Sequence, residues 1–463
     1  MEPERTMTAG VTSAEAASCS SPCSDAVRDL LDWARSRGLE LKNARAEKVE
    51  EGGRGIVATR DLEPHSEVLR IPLGLIMRSK RKIPGLSSTD VLALALLRER
   101  ERKDKSPFDL YVRSLPGSYA LLCHWSKPVA RELQDRSFEQ HHADLRDKLL
   151  ENYKKLCAFG SGEGQTASLS CPTRFSFDEF LWATSTILSR SVYLPGTGDE
   201  AGGLCPIGDL FNYCPPAGPD PTGLPQAFVD HWERVMAGKK KRKRGESAFE
   251  GVSGSGVYDE RTQSFVFKTG ERCYKKGEQI FVTYGMYDNR SLIEIYGFLI
   301  EDNAQDSVRL DGVLPDSVLE DAALQLEGSS YEVYQNGFPG WDLLCLVRWK
   351  VACDQNAKDS AKWKQRILQG SPVSVALESK AFAFLKEVLR TRLEMFPTRV
   401  EEDEKILNDL SSDDGGEAED ETMKLAVQWR LCQKRILHKS ISNCELYQNF
   451  LTENPLVDLD LLA

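Results

Sequence analysis

Tyr284 and Tyr296 are two side chains whose type could do chemistry. They sit in Gly277-Glu278-Gln279-Ile280-Phe281-Val282-Thr283-Tyr284-Gly285 and in Ile295-Tyr296-Gly297-Phe298. Paired tyrosine hydroxyls can orient a nitrogen by hydrogen bonding while their rings face a cationic group. Taken one at a time, each reads better as a core aromatic. Three further segments bring polar groups together: Gly52-Gly53-Arg54-Gly55-Ile56-Val57-Ala58, Ser189-Arg190-Ser191-Val192-Tyr193 and Ile207-Gly208-Asp209-Leu210-Phe211-Asn212-Tyr213. In isolation the glycines make a hairpin turn and Asn212 closes a strand ahead of Pro215-Pro216. Arg190 and Asp209 alone would be an ion pair of the kind that contributes little on a surface.

Other chemistries lack their signatures. The glycine clusters at 52–55, 160–164, 196–203 and 251–256 contain no phosphate-cradling loop with its Lys-Ser/Thr, and none joins a convincing strand to a helix with an acid downstream. A P-loop or Rossmann nucleotide site is therefore disfavoured. Six histidines include no His-Glu-x-x-His pair, and no Gly-x-Ser-x-Gly elbow occurs, which argues against a zincin or a hydrolase triad. Twelve cysteines are scattered, with only Cys19 and Cys23 close together, so the paired ligands of a zinc site are missing. Buried, reduced thiols in an intracellular protein are expected, and no metal.

The 463 residues, 41% of them hydrophobic, suffice for real cores in two or three domains. Lys+Arg 60 against Asp+Glu 71 gives a formal charge of −11, the wrong balance for a nucleic-acid partner. Glu401 to Glu421 alone carries eleven acidic residues against Lys405, so the rest of the chain is close to neutral. No run approaches the roughly 18 to 20 apolar residues of a bilayer span, and no membrane association is expected. Met1 to Ser24 carries Glu2, Glu4 and Glu15 and lacks the apolar stretch of a secretory signal, whereas a weak organelle transit peptide stays open.

The elements that must position the polar segments are legible as pattern. Ser24 can cap a short amphipathic lid helix with Val27, Leu30, Leu31 and Ala34 on one face and Gly38 at its stop. Gly55 to Thr59 and Glu67 to Ile71 read as strands joined by a turn at Pro64. From Ser88 to Arg190 the period is helical. Ser176 with Glu179 forms a capping box, flanked by Phe175 and Phe180 as a staple, which predicts a helix over 177–190. Its buried face is expected to hold Phe177, Phe180, Leu181, Thr184, Ile187 and Leu188, and its end delivers Ser189-Arg190-Ser191. Strand texture returns at Phe265-Val266-Phe267 and Gln279 to Val282. Beyond Asp302 the chain is helical again, with Trp341, Trp349, Trp363 and Trp429 available as core. Strands, helices, strands and helices without βαβ alternation make the class α+β.

In this order and spacing the four polar segments resemble the SET-domain methyltransferases, in particular the branch of the Rubisco large-subunit methyltransferase, in which the SET domain is split by helices and followed by a helical domain. The resemblance is strong over about Leu41 to Asp302 and one of character beyond. It implies a tail and short helix over 1–38 and a knotted, β-rich SET core over 39–301. That core would hold a helical insertion at about 79–204 and a basic insertion loop at about 215–256. A helical substrate-binding domain over 302–463 would follow, with an acidic loop at 401–421.

The resemblance further implies S-adenosylmethionine as cofactor and a protein-lysine N-methyltransferase acting on a protein substrate. Histidine is the alternative acceptor within the class. A SET-like interaction module with weak catalysis is the alternative from another class. Gly52, Gly53 and Arg54 would let the backbone approach the cofactor where a Cβ would collide. Asn212 stands where the family's Asn-His pair bonds the cofactor, with Tyr213 in place of the histidine and Cys214 after it. Tyr296 matches the active-site tyrosine of the Tyr-Gly-Phe motif and Tyr284 the one that closes the SET core, both implied to be catalytic and in contact with the cofactor. Arg190 and Asp209 match positions that line the cofactor and substrate pocket, with Tyr284 also on the substrate side. Methyl transfer from a sulfonium is an in-line displacement, so catalysis is mostly the positioning of an unprotonated amine. No residue of the set looks like a dedicated base, so the amine is expected to lose its proton to solvent. A monomer in the cytoplasm or nucleus is expected. Lys239 to Arg244, six consecutive basic residues, reads as a nuclear address, an anchor for an acidic partner or a solvated insertion. The acidic segment reads as a disordered connection that could attract a basic substrate tail.

Overall fold

The computed structural model describes residues 23–49, 53–79, 83, 85–160, 175–194, 199–216, 221–224, 229, 254–310, 312–315, 331–355, 360–411 and 418–454. The N-terminal tail, Gly52 and the basic run Lys239–Arg244 lie outside them. The chain divides into two compact units, residues 1–217 with 247–300 and 413–426, and residues 218–246 with 301–412 and 427–463.

In the first unit, helix α1 (Cys23–Arg35) buries Val27, Leu30, Leu31 and Ala34 in the main core. It is a core helix and not the expected lid. Strands β1 (Glu40–Leu41), β2 (Ala44–Lys48), β3 (Arg54–Ala58) and β4 (Glu67–Pro72) follow, and the apolar, largely β-branched residues Ile56, Val57, Val68 and Ile71 are buried in them. Helices α2 (Ser88–Arg102), α3 (Asp109–Ser114), α4 (Lys127–Arg131), α5 (Arg136–Gly160) and α6 (Phe177–Arg190) then interrupt the strands. The capping box is formed: the Ser176 hydroxyl accepts the Glu179 N–H, the Glu179 carboxylate accepts the Ser176 N–H, and the helix spans the expected residues. Its buried face is wider than expected, since Trp182, Ala183, Ser185 and Thr186 are buried as well, while Leu188 is 39% exposed. A helix covered on several sides has no single apolar stripe to read.

The chain leaves α6 directly into the hairpin β5 (Ser191–Leu194) and β6 (Asp199–Leu204). Strands β7 (Ser255–Asp259), β8 (Ser264–Lys268) and β9 (Gln279–Ile280) and helix α7 (Asn289–Ile295) complete the unit. The strands form an antiparallel four-stranded sheet in the order β1-β4-β8-β7, an antiparallel three-stranded sheet β2-β3-β9 and the β5-β6 pair. Two isolated bridges, both to Val282, depart from this antiparallel rule: one from Gly254 and one from Tyr213. Residues 212–214 run parallel beside Val282, whose N–H donates to the Asn212 carbonyl at 3.0 Å and whose carbonyl accepts the Cys214 N–H at 3.1 Å. Two segments some 70 residues apart, one bearing Asn212 and the other Tyr284, are thereby fixed side by side.

The second unit contains a short antiparallel ribbon, β10 (Ser307–Arg309) with β11 (Glu332–Tyr334), which the helical expectation missed. Its helices are α8 (Trp341–Asp354), α9 (Ser360–Leu368), α10 (Val375–Glu394), α11 (Val400–Ser411) and the later residues of α12 (Ala418–Glu453). Trp349 and Trp429 are buried, and Trp341 and Trp363 pack half-buried against the core. Arg348 of α8 is buried too, with its guanidinium donating to both Glu378 oxygens of α10 at 2.9 and 2.5 Å and to the Gly370 carbonyl at 2.7 Å.

The acidic loop expected at 401–421 is corrected by α11 and by the start of α12, with only 412–417 outside the described residues. Asp403 explains the difference. Its buried carboxylate accepts hydrogen bonds from Arg430 Nε at 2.9 Å, Lys434 Nζ at 2.5 Å and the Thr398 hydroxyl at 2.8 Å. The acid is a structural counter-charge, so segment composition alone misread it. Among the described residues no helix is long and apolar enough to cross a membrane.

Candidate functional site

A cavity of about 420 Å³ opens in the first unit where the end of α6, β5, the 208–211 turn, β7, β8 and the segment after β9 converge. Arg190, Asp209, Tyr284 and Tyr296, all expected at the site, line it. The turn that presents Asp209 is strained on purpose of packing: Ile207 is wholly buried with φ +68, a backbone region that β-branched residues rarely adopt. Gly208 follows because a Cβ there would lie 2.7 Å from the Phe267 ring and 3.0 Å from Cys205 Sγ.

Asp209 is held from two sides. Arg190 Nη1 donates to its carbonyl at 3.1 Å and lies 3.4 Å from Oδ2, and the Tyr111 hydroxyl donates to the same Oδ2 at 3.0 Å. The side chain is only 3% exposed, so this is a buried ion pair and not the surface pair that isolated reading allowed. Burial pushes the Asp209 carboxyl above its ordinary value, while the positive charges of Arg190 and Arg54 pull it back. Tyr111 is pushed well up by burial and by the Asp209 charge, which keeps it a proton donor.

Tyr284 and Tyr296 line another part of the cavity and are backed by further aromatic rings. Ring centroids lie 5.0 Å apart for Tyr284 and Tyr296, 5.1 Å for Tyr213 and Tyr284, 5.6 Å for Tyr287 and Tyr296, and 6.0 Å from Phe298 to both Tyr213 and Tyr296. The Tyr284 hydroxyl donates to the Phe211 carbonyl at 2.6 Å, and the Tyr213 hydroxyl to the Gly285 carbonyl at 2.8 Å. With its proton committed to the backbone, the Tyr284 oxygen can offer only lone pairs to anything in the cavity. Burial raises the Tyr213 and Tyr296 hydroxyls above the ordinary tyrosine value, with Tyr287 adding to the rise at Tyr296, so both stay neutral. Burial likewise pushes the Cys214 thiol up to about 12, which makes it an inert core sulfur.

Asn212, Gly53 and Arg54 come together beside this wall without lining the cavity. The Asn212 amide donates to the Arg54 carbonyl at 3.2 Å, and Gly53 takes φ +69, a conformation that favours glycine. Tyr213 is 2% exposed and serves the core next to Tyr284. Gly52, the first of the expected turn residues, lies outside the described residues. Sequence reasoning missed Tyr111, Tyr287 and the strain at Ile207. Tyr287, three residues after Tyr284, could have been noticed by proximity; Tyr111, 98 residues from Asp209, carried no local signal. Among the described residues no group of three or more His, Cys, Asp or Glu side chains could hold a metal.

Solved structures share this architecture over almost its whole length. A Rubisco LSMT bound to sinefungin and monomethyllysine aligns with 96% of this chain and 98% of its own at a TM-score of 0.61 and 18% identity. The SET domain of LSMT bound to lysine and AdoHcy aligns with 95% of this chain and 96% of its own at a TM-score of 0.60 and 19% identity. The chain has the Rubisco LSMT-type SET fold. A family model for the Rubisco LSMT substrate-binding domain matches residues 316–437, most of which belong to the second unit. Among relatives, Protein SET DOMAIN GROUP 40 of Arabidopsis thaliana is 29% identical over 378 residues, 78% of this chain and 72% of its own length. The actin-histidine N-methyltransferase of Homo sapiens is 23% identical over 454 residues, 91% of this chain and 69% of its own length. The chain is thus similar both to LSMT structures that hold lysine or monomethyllysine and to a protein named for methyl transfer to histidine.

Proposed function

We propose that this chain is an S-adenosylmethionine-dependent protein N-methyltransferase, with a lysine side chain of a protein as acceptor. The observation that carries the reading is the pairing of Tyr284 and Tyr296 on the cavity wall, with the Tyr284 proton held by the Phe211 carbonyl. Gly53, Arg54 and Asn212 are the residues that would hold the cofactor. The donor set fits a cation, since tyrosine faces and lone pairs meet it and no free ammonium competes among the described residues lining the cavity. When bound, the cofactor would supply an electrophilic methyl group on sulfur.

This chain's own contribution is orientation and exclusion of water. Tyr284 accepts a hydrogen bond from the acceptor nitrogen and so aims its lone pair away from the hydroxyl, and the aromatic wall desolvates that nitrogen, which lowers the pKa of an amine. Asp209 is the carboxylate in the described lining, and Arg190 and Tyr111 hold it, so it positions the wall and does not take up the proton. The acceptor therefore has to arrive unprotonated. A second reading, a histidine acceptor, is favoured by the likeness to actin-histidine N-methyltransferases over 91% of the chain. An imidazole is already mostly neutral at pH 7, so it meets the same requirement without help.

Titration calorimetry with S-adenosylmethionine, wild type beside Asn212→Ala, tests the reading. Saturable binding that weakens at least about tenfold in a variant with an unchanged melting temperature supports it. No binding to folded wild type at millimolar cofactor would overturn it in favour of an interaction module.

A further inference from the structure

Among the described residues, the mouth of the cavity carries exposed apolar side chains. Tyr193 of β5 and Val257 of β7 both line the cavity, yet they are 73% and 58% exposed, among the most exposed large apolar side chains of the described residues. Their strands approach one another, and β7 is the outer strand of its sheet. The exposed rings and methyls are thus continuous with the interior wall of Phe211, Phe265 and Phe267. The described lining holds one cation and one carboxylate, Arg190 and Asp209, and they neutralise each other.

Resting on the methyltransferase reading above, we propose that Tyr193 and Val257 form a specificity rim that seats an apolar side chain adjacent to the methylated residue. The rim selects acceptor segments with apolar neighbours and gives no advantage to a run of lysines and arginines. An apolar side chain leaving water against Tyr193 and Val257 gains affinity in proportion to the area covered, whereas a basic side chain there meets, among the described residues lining the cavity, only the Asp209 carboxylate already paired with Arg190. Discrimination of about tenfold or more follows, the scale on which small apolar pockets separate substrates.

Synthetic peptide pools centred on lysine and on histidine test this with the full chain and methyl-labelled S-adenosylmethionine. In one pool the two residues on each side of the acceptor are drawn from Val, Leu and Phe, in the other from Lys and Arg. The apolar pool should be methylated at least about tenfold faster. In the double variant Tyr193→Ser, Val257→Ser the ratio should fall toward one while calorimetric cofactor binding stays at the wild-type value. A basic pool methylated as fast as the apolar one, or an apolar preference that survives the double variant, would overturn the rim. So would methylation of neither pool by a chain that binds the cofactor. A chain that binds no cofactor would instead overturn the methyltransferase reading beneath it.

Discussion

Replacing Tyr284 by phenylalanine removes a single oxygen from the cavity wall. That hydroxyl donates to the Phe211 carbonyl at 2.6 Å, so its loss leaves the carbonyl one hydrogen bond short and costs about 1 to 3 kcal/mol of stability. Tyr213→Phe is the matched control. Its hydroxyl also donates to a backbone carbonyl, that of Gly285 at 2.8 Å, but the side chain does not line the cavity. The two variants should therefore lose similar stability, while only Tyr284→Phe removes an acceptor from the reacting nitrogen. A hydrogen bond to a group developing charge is worth about 1.5 to 3 kcal/mol, which predicts a rate loss of roughly 10- to 150-fold. The assay is the initial rate of methyl incorporation into the peptide pools at saturating cofactor, with thermal melts of both variants in parallel. If Tyr284→Phe melts like Tyr213→Phe and methylates as fast as wild type, the hydroxyl does not orient the acceptor and the reasoning fails.

Two further outcomes follow from the charges. Asp403→Ala removes the counter-charge of Arg430 and Lys434 in the interior and should destabilise the second unit by about 3 to 5 kcal/mol in denaturant unfolding; a loss below about 1 kcal/mol would show that the cluster does not hold α11 in place. The pH dependence of the rate identifies the acceptor, because burial raises the Tyr213 and Tyr296 hydroxyls and removes them from the range below pH 10. A lysine with a pKa near its usual ~10.4 gives a rate rising about tenfold per unit from pH 6 to 9, whereas a histidine with a pKa of ~6.5 gives a plateau above about pH 7.5. A flat profile for lysine peptides, with chemistry limiting, would count against proton loss to solvent.

What the sequence showed was whatever is written in neighbouring residues. The Ser176–Glu179 box predicted α6 to the residue because a capping box is a local bargain between groups three apart. The paired strands around Ile56 and Ile71 were likewise legible as alternating or continuous apolar runs. Long-range partners stayed hidden. Asp403 meets Arg430 and Lys434 at sequence separations of 27 and 31, so a segment that looks solvated by composition carries a buried anchor. The Tyr111 hydroxyl on Asp209 and the Tyr213 hydroxyl on Gly285 span 98 and 72 residues. The four polar motifs were recognised by order and spacing, and their convergence was visible only as a resemblance; the parallel pairing of 212–214 with Val282 is its physical form.

Tyr213 stands where the SET-methyltransferase pattern that the sequence resembles has histidine, and its surroundings show what that position does in this chain. Its neighbours Asn212 and Cys214 are fastened to Val282 through backbone bonds that any side chain at 213 permits. Its ring packs between Tyr284 and Phe298, at 5.1 and 6.0 Å, and its hydroxyl ties down the carbonyl of Gly285, the residue after Tyr284. The contact with Tyr284 and the hydrogen bond to Gly285 hold the Tyr284 segment against the Asn212 segment, and neither requires an imidazole. A tyrosine reaches Gly285 through its para oxygen and keeps a neutral, uncharged ring beside the cavity wall, since burial has moved its titration upward. Tyr213 therefore fastens the Tyr284 segment beside the Asn212 segment without an imidazole, so that a side chain proposed to orient the acceptor and one proposed to hold the cofactor stay in register with each other.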